Sequence, residues 1–161
     1  MRVCVYCASS DHVARVYHDA ASMLGRTLAQ AGCTLVYGGG ATGLMGSLAN
    51  GALAAGGEVI GVIPRFMIEV EWQHPGLANL EVVEDMRERK HRLLTGADAV
   101  VALPGGSGTL EELFEAITLK RLALYLNPIV LLDTNDFYTL VQHFLLQMVE
   151  QRFINRRHIY M

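Results

Sequence analysis

The stretch Ala99-Val100-Val101-Ala102-Leu103-Pro104-Gly105-Gly106-Ser107-Gly108-Thr109-Leu110-Glu111-Glu112-Leu113-Phe114-Glu115 decides the fold. A strand-sized apolar run enters a glycine turn, and the turn opens a helix. The same alternation extends to both sides. Arg2 to Cys7, Thr34 to Tyr37, Glu58 to Ile63, Leu80 to Val83 and Pro128 to Leu132 are further apolar runs of strand length, with helix-sized segments between them. Between the first two, Tyr17, Ala20, Ala21, Leu24 and Leu28 recur at three- and four-residue spacing, and Gly32 follows as a helix stop. Runs this rich in Val, Ile and Leu are buried on both faces, as parallel sheets require. The expectation is an α/β fold: a doubly wound parallel sheet in a three-layer sandwich, built as a single domain over residues 1–161.

Composition agrees. A chain of 161 residues suits one domain that buries about two thirds of its unfolded surface. With 52% hydrophobic and 18% charged residues it is not a disordered chain. A net charge of -3 supplies no general pull toward nucleic acid or anionic lipid, so neither is an expected partner. No apolar run approaches the roughly 18 residues of a membrane span, and Met1-Arg2 leads straight into a strand-like stretch. A cytoplasmic protein is expected.

Cys4 and Cys7 form a C-x-x-C, but they lie in an alternating strand that points them to opposite faces, so they read as buried structural residues, and all three cysteines are expected to be reduced. The six histidines have no metal-ligand spacing, and no metal is expected.

In open α/β sheets ligands collect beyond the carboxyl ends of the strands, which directs attention to the loops after Cys7, Tyr37, Ile63 and Leu103. Gly38-Gly39-Gly40-Ala41-Thr42-Gly43 satisfies G-x-G-x-x-G, but the next strand ends Val62-Ile63-Pro64-Arg65, without the acid that would hold a dinucleotide ribose. Leu44-Met45 stands where a Walker loop needs Lys and Ser or Thr, which disfavours an NTPase.

The second loop, Pro104 to Thr109, is more specific. Its three glycines let backbone N–H groups approach a ligand, Ser107 and Thr109 add hydroxyls, and a helix start offers unpaired N–H groups at a positive dipole end. This reads as a phosphate cradle. The competing reading is a tight turn before a helix capped by Ser107 or Thr109, which would not require three glycines. Glu111, Glu112 and Glu115 crowd the first turns, where acids suit the dipole anyway. A carboxylate one turn beyond a bound phosphate also lies near the sugar of a nucleotide, a position suited to glycosidic chemistry.

Glu84 to Leu94 reads as another helix, whose apolar face holds Met86, Leu93, Leu94 and Ala97. Arg89 and Lys90 fall on that inward side, whereas Arg87, Glu88 and Arg92 fall largely outside it. Either the two basic side chains snorkel to water or a cleft there needs positive charge.

Tyr37-Gly38-Gly39-Gly40, Gly43-Leu44-Met45-Gly46, Gly61-Val62-Ile63-Pro64, Met86-x-x-Arg89-Lys90 and Pro104-Gly105-Gly106-x-Gly108-Thr109-x-x-Glu112 together resemble the LONELY GUY (LOG) family, through nearly the whole chain. That family comprises cytokinin riboside 5′-monophosphate phosphoribohydrolases, often mislabelled as lysine decarboxylases. The resemblance implies a Rossmann-like homodimer that splits a nucleoside 5′-monophosphate, such as AMP with or without an N6 substituent, into free base and ribose 5-phosphate, without a cofactor. By matching position it implies Arg89 and Glu112 as the catalytic pair and Gly105, Gly106, Ser107, Gly108 and Thr109 as the phosphate site. Substrate contacts would come from Lys90, from Gly38, Gly39 and Gly40, from Glu71 in Glu71-x-x-His74-Pro75-Gly76-Leu77, and from Thr118.

Two departures stand out: Arg87 replaces the usual His, and Cys7-Ala8-Ser9-Ser10 replaces C-G-S-S. The family usually continues past the equivalent of Tyr160-Met161 into another strand and helix. A guanidinium is no acid at neutral pH, so Arg89 would orient substrate or balance charge while Glu112 stabilises a ribosyl cation and activates water. The alternatives are a nucleotide or molybdenum-cofactor carrier, which would keep the cradle without needing both residues, and a pyridoxal enzyme, which would need a Schiff-base lysine.

Overall fold

A computed structural model of the chain describes residues 1–68 and 73–156. Strands β1 (Arg2–Tyr6), β2 (Thr34–Tyr37), β3 (Val59–Pro64), β4 (Asn79–Val83), β5 (Ala99–Ala102) and β6 (Ile129–Leu131) form within the six apolar runs, with ends shifted by a residue or two. All pair in parallel, in the order β4-β3-β2-β1-β5-β6. Helices α1 (Arg15–Gln30), α2 (Gly43–Ala54), α3 (Met86–Leu94), α4 (Ser107–Arg121) and α5 (Thr139–Glu150) follow β1, β2, β4, β5 and β6, while a 3-10 turn (Arg65–Met67) follows β3.

Strand periodicity divides the core in two. Val3 and Val5 of β1 pack with Ala21 of α1 and with Leu44 and Leu48 of α2. Cys4 and Tyr6, on the other face, pack with Leu93 of α3, Leu113, Ala116 and Ile117 of α4, and Leu145 of α5. The result is the expected three-layer, doubly wound sandwich. Cys4 is buried as read from sequence, and Cys33 is buried too. Cys7 corrects that reading: it lies just past β1, half-buried, because the strand ends at Tyr6.

Helices α1 and α2 meet backbone to backbone. A Cβ on Gly25 would lie 2.1 Å from the Leu48 carbonyl oxygen, and one on Gly51 would lie 2.2 Å from that of Ser22. This close approach holds the start of α2 against the loop that leaves β1. From β1 the chain moves to β2 on one side, and from β5 to β6 on the other. Their connections diverge and open a crevice between the carboxyl ends of β1 and β5.

Candidate active site

The crevice is a cleft of about 340 Å³, reached by the loop after β1, by Gly38 after β2, by α3 and by the first turns of α4. The two glycine loops behave differently at its edge.

At α2 the chain fills its own helix start. The Gly43 N–H donates to Asp11 Oδ1 at 2.6 Å, and the N–H groups of Leu44 and Met45 donate to the Ala8 carbonyl at 3.0 and 3.2 Å. Gly43 has φ +60°, and a Cβ there would come within 2.4 Å of the Ser9 carbonyl carbon, so the site tolerates only glycine. An anionic side chain and a carbonyl thus occupy the donors that a dinucleotide would otherwise use.

At α4 the donors face the cleft. Gly106 is the N-cap, at φ -83°, and no side chain caps the helix. The alternative in which Ser107 or Thr109 caps it is therefore not realised. A Cβ on Gly106 or Gly108 would meet nothing within 4 Å, so these glycines leave space instead of satisfying a backbone requirement. Gly105 is different: a Cβ there would lie 2.1 Å from the hydroxyl oxygen of buried Thr109. Gly105 seats Thr109, while Gly106, Ser107, Gly108 and Thr109 line the cleft.

Arg89 is 5% exposed. Its Nε donates to the Val62 carbonyl at 3.1 Å and its Nη2 to the Gly38 carbonyl at 2.8 Å. Nη1 lies against the Met67 and Met86 sulfurs at 3.6 and 3.9 Å. The guanidinium is thereby locked to the ends of β2 and β3 with one edge on the cleft. Gly38 is needed for this: a Cβ there would stand 2.5 Å from Nη2. Glu112, half-buried, lines the same cleft. Burial first, then the charges of Cys4 and Glu112, push the Tyr6 phenol well above its usual range, so this wall of the cleft stays neutral.

The remaining candidates spread out. Gly39 and Gly40 brace a neighbouring loop: Gly39 accepts from the His74 N–H at 3.0 Å, and Gly40 accepts from the Tyr37 hydroxyl at 3.1 Å and bridges Gln73. Lys90 turns to α4, with Nζ 2.5 Å from Glu111 Oε1 and 3.3 Å from Glu115 Oε2. Hydrogen bonding to Glu111 is the main reason its pKa is raised. Thr118 is exposed and donates to the Phe114 carbonyl at 2.8 Å, away from the cleft. Glu71 lies outside the described residues. Its motif partner His74 is buried, accepts the Gly76 N–H on Nδ1 at 3.1 Å, and so carries its proton on Nε2, 3.1 Å from Asn50 Oδ1.

The sequence points to the loop after Cys7 but assigns no role to Ser9 or Ser10 within it, nor to Met45, Met67 or Met86, all of which line the cleft. Helix phase puts Met86 on the inner face of α3, and nothing in the sequence marks Met67. Among the described residues no group of three or more His, Cys, Asp or Glu could hold a metal. No described helix is long and apolar enough to cross a membrane. Lys90 and Lys120 are the chain's only lysines. Neither lines the cleft, and Lys120 Nζ donates to the Leu126 and Asn127 carbonyls at 3.1 and 2.7 Å.

An uncapped helix start, a buried guanidinium and a carboxylate meet at the switch point of the parallel sheet of a Rossmann-like α/β protein. The family model described as "possible lysine decarboxylase" matches residues 45–161. LOGL2 of Oryza sativa subsp. japonica, a probable cytokinin riboside 5′-monophosphate phosphoribohydrolase, is 41% identical over 160 residues, covering 98% of this chain and 66% of that protein. The cytokinin riboside 5′-monophosphate phosphoribohydrolase of Rhodococcoides fascians is 45% identical over 137 residues, covering 84% of this chain and 69% of its own.

The chain belongs to the LONELY GUY family. It spans 61 to 66% of the length of the first three curated relatives. Among solved structures, the molybdenum cofactor carrier protein of Chlamydomonas reinhardtii superposes with a TM-score of 0.68 at 25% identity, over 88% of this chain and 84% of that one.

Proposed function

We propose that this chain hydrolyses the N-glycosidic bond of AMP, with or without an N6 substituent, releasing free base and ribose 5-phosphate. The observation that carries the reading is that the uncapped start of α4 opens onto the same cleft as Arg89 and Glu112. The 5′-phosphate accepts hydrogen bonds from the α4 N–H groups and the Thr109 hydroxyl, which directs C1′ toward Glu112 one turn on. As the C1′–N bond breaks, its electron pair leaves with the base and positive charge builds on the ribose. The Glu112 carboxylate stabilises that charge and takes a proton from the water that attacks C1′; this proton ends on the departing base nitrogen. Arg89 stays protonated throughout and balances charge. A pyridoxal-dependent decarboxylase is disfavoured because neither lysine reaches the cleft.

The phosphate should act as the handle. AMP should be cleaved at least ~100-fold better in kcat/KM than adenosine, about 2.7 kcal/mol of transition-state binding. The test is release of base from AMP, isopentenyl-AMP, GMP, CMP and adenosine. The fold shared with molybdenum cofactor carriers favours one alternative, a carrier that binds without turnover. Tight AMP binding with no base released would select it. Equal turnover of AMP and adenosine would remove the cradle from the reading.

The same proposal includes a cytoplasmic homodimer that engages neither nucleic acid nor membrane. Leu122, Leu140 and Phe144 are 55%, 79% and 52% exposed, and Thr118 stands one turn before Leu122 on the same side of α4. A pairing face accounts for such apolar exposure. Sedimentation of a monomer at micromolar concentration would refute the pairing.

A further inference from the structure

Helix α3 carries two consecutive cations that part company. Arg89 reaches the sheet, where it is bonded to the Val62 and Gly38 carbonyls. Lys90 reaches across to α4 and bridges Glu111 and Glu115. Between those acids in sequence stands Glu112, so three carboxylates share one turn and a half of helix. Left to themselves, Glu111 and Glu115 would repel the charge that Glu112 must carry.

We propose that Lys90 is a positioning residue for Glu112 and not a ligand of the nucleotide: by bridging Glu111 and Glu115 it ties α4 to α3 and cancels the like charge flanking Glu112. The proposal rests on the hydrolase reading above. Two features of the structure carry it. Lys90 does not line the cleft, whereas Arg89, Glu111 and Glu112 do. Its side chain is only 19% exposed, while its partners Glu111 and Glu115 are 56% and 40% exposed, so the cation is held inward at the junction of the two helices. That junction sets the spacing between Arg89 on α3 and Glu112 on α4. A bridge to solvent-facing carboxylates adds little to stability, so its effect belongs to the charge and placement of Glu112.

Among the described residues, Glu111 and Glu115 flank Glu112 on its own helix and are bridged by Lys90 from α3, Arg89 lines the same cleft, and Tyr6 and Cys4 on β1 feel the Glu112 charge. Of the two cations, Lys90 is the one joined to the flanking acids. Removing it favours the protonated form of Glu112, so the acidic limb of the rate profile must move to higher pH.

The test compares K90M, K90R and K90M/E111Q/E115Q with the unsubstituted protein. Base release from AMP is followed from pH 5 to 9, and ribose 5-phosphate binding is followed by calorimetry. K90M should lose about threefold or more in kcat on the acidic limb, which moves up by about half a unit or more, while KM and ribose 5-phosphate affinity stay within about twofold. K90R should recover most of the rate. The triple variant, which removes the unpaired acids along with the lysine, should return the limb to its original place even if K90M itself folds poorly.

A tenfold or greater loss of ribose 5-phosphate affinity in K90M, with an unmoved limb, would make Lys90 a substrate ligand. An unchanged rate and limb would make it a surface ion pair. Failure of the triple variant to restore the limb would also overturn the proposal. If the unsubstituted protein releases no base from any nucleotide, the hydrolase reading itself has failed, an outcome separate from these.

Discussion

The glycines of the 104–109 loop should separate stability from activity. Alanine at 105 puts a methyl 2.1, 2.5 and 2.8 Å from Thr109 Oγ1, Cβ and Cγ2, and Thr109 is 5% exposed with nowhere to move. Overpacking of this kind costs about 1–3 kcal/mol, which for a domain of this size lowers Tm by roughly 2–10 °C. Alanine at 108 meets nothing within 4 Å and lies in the first turn of α4. There it gains helix propensity, up to about 1 kcal/mol, so Tm should hold or rise by roughly 2–4 °C. Yet the added methyl occupies the space in which a phosphate would sit on the α4 N–H groups, so kcat/KM for AMP should fall by roughly tenfold or more. Circular-dichroism melts and base release measured on both variants give the comparison. If Gly108→Ala keeps both its Tm and full AMP turnover, the open space at α4 is not a phosphate site. If Gly105→Ala melts with the unsubstituted protein, the packing account of Thr109 is wrong.

Three further outcomes follow from the same geometry. Glu112→Gln should keep fold and nucleotide binding but lower kcat by roughly 100-fold or more, the scale of general base catalysis; near-normal turnover would move the role to Glu111 or Glu71. Arg89→Ala should lose activity and also stability, about 1–3 kcal/mol for each buried carbonyl left unpaired at Val62 and Gly38, whereas Arg92→Ala on the exposed side of α3 should change neither. Equal losses in the two variants would refute the helix phase. Burial holds the His74 imidazole below its usual pKa, so the unfolded chain takes up that proton first as pH falls. The stabilisation is therefore complete above about pH 6.5 and is lost as pH drops toward the folded value. Urea midpoints at pH 7.5 and 5.5 should diverge less in His74→Gln than in the unsubstituted chain.

Most of the sheet was legible because the inner strands β1, β2, β3 and β5 are buried on both faces and read as apolar runs, as in Val59-Ile60-Gly61-Val62-Ile63; burial on both faces fails only at the edge strands β4 and β6, where Val82 and Val130 are exposed. The inward direction of Arg89 was legible from helix phase alone. Its partners were not, because they are main-chain carbonyls of β2 and β3, and any residue supplies a carbonyl. Lys90 illustrates a second limit. Periodicity placed it on the inner side of α3, and the resemblance suggested a substrate contact, but the acids that receive it lie 21 and 25 residues on, in an element whose rotation the sequence left open. Cys7 failed for a local reason: the alternation that buries Cys4 stops one residue short of it.

The two glycine loops make the strongest case for reading helix starts by what occupies them. Both follow a parallel strand, both open a helix, and the first satisfies the better-known motif. In the first, Asp11 brings a carboxylate to the Gly43 N–H and Ala8 brings a carbonyl to the next two, so the dipole and its donors are neutralised within the chain. In the second, Gly106 offers no capping side chain, and a Cβ on Gly106 or Gly108 would meet nothing from neighbouring elements within 4 Å. Helix donors need partners, and a carboxylate or a phosphate meets that need equally well. The loop that ties Asp11 to α2 is also the loop that forms the opposite wall of the cleft through Cys7, Ala8, Ser9 and Ser10. Closing the first helix start therefore shapes the second: the contacts that deny an anion to α2 hold the wall against which an anion on α4 would rest.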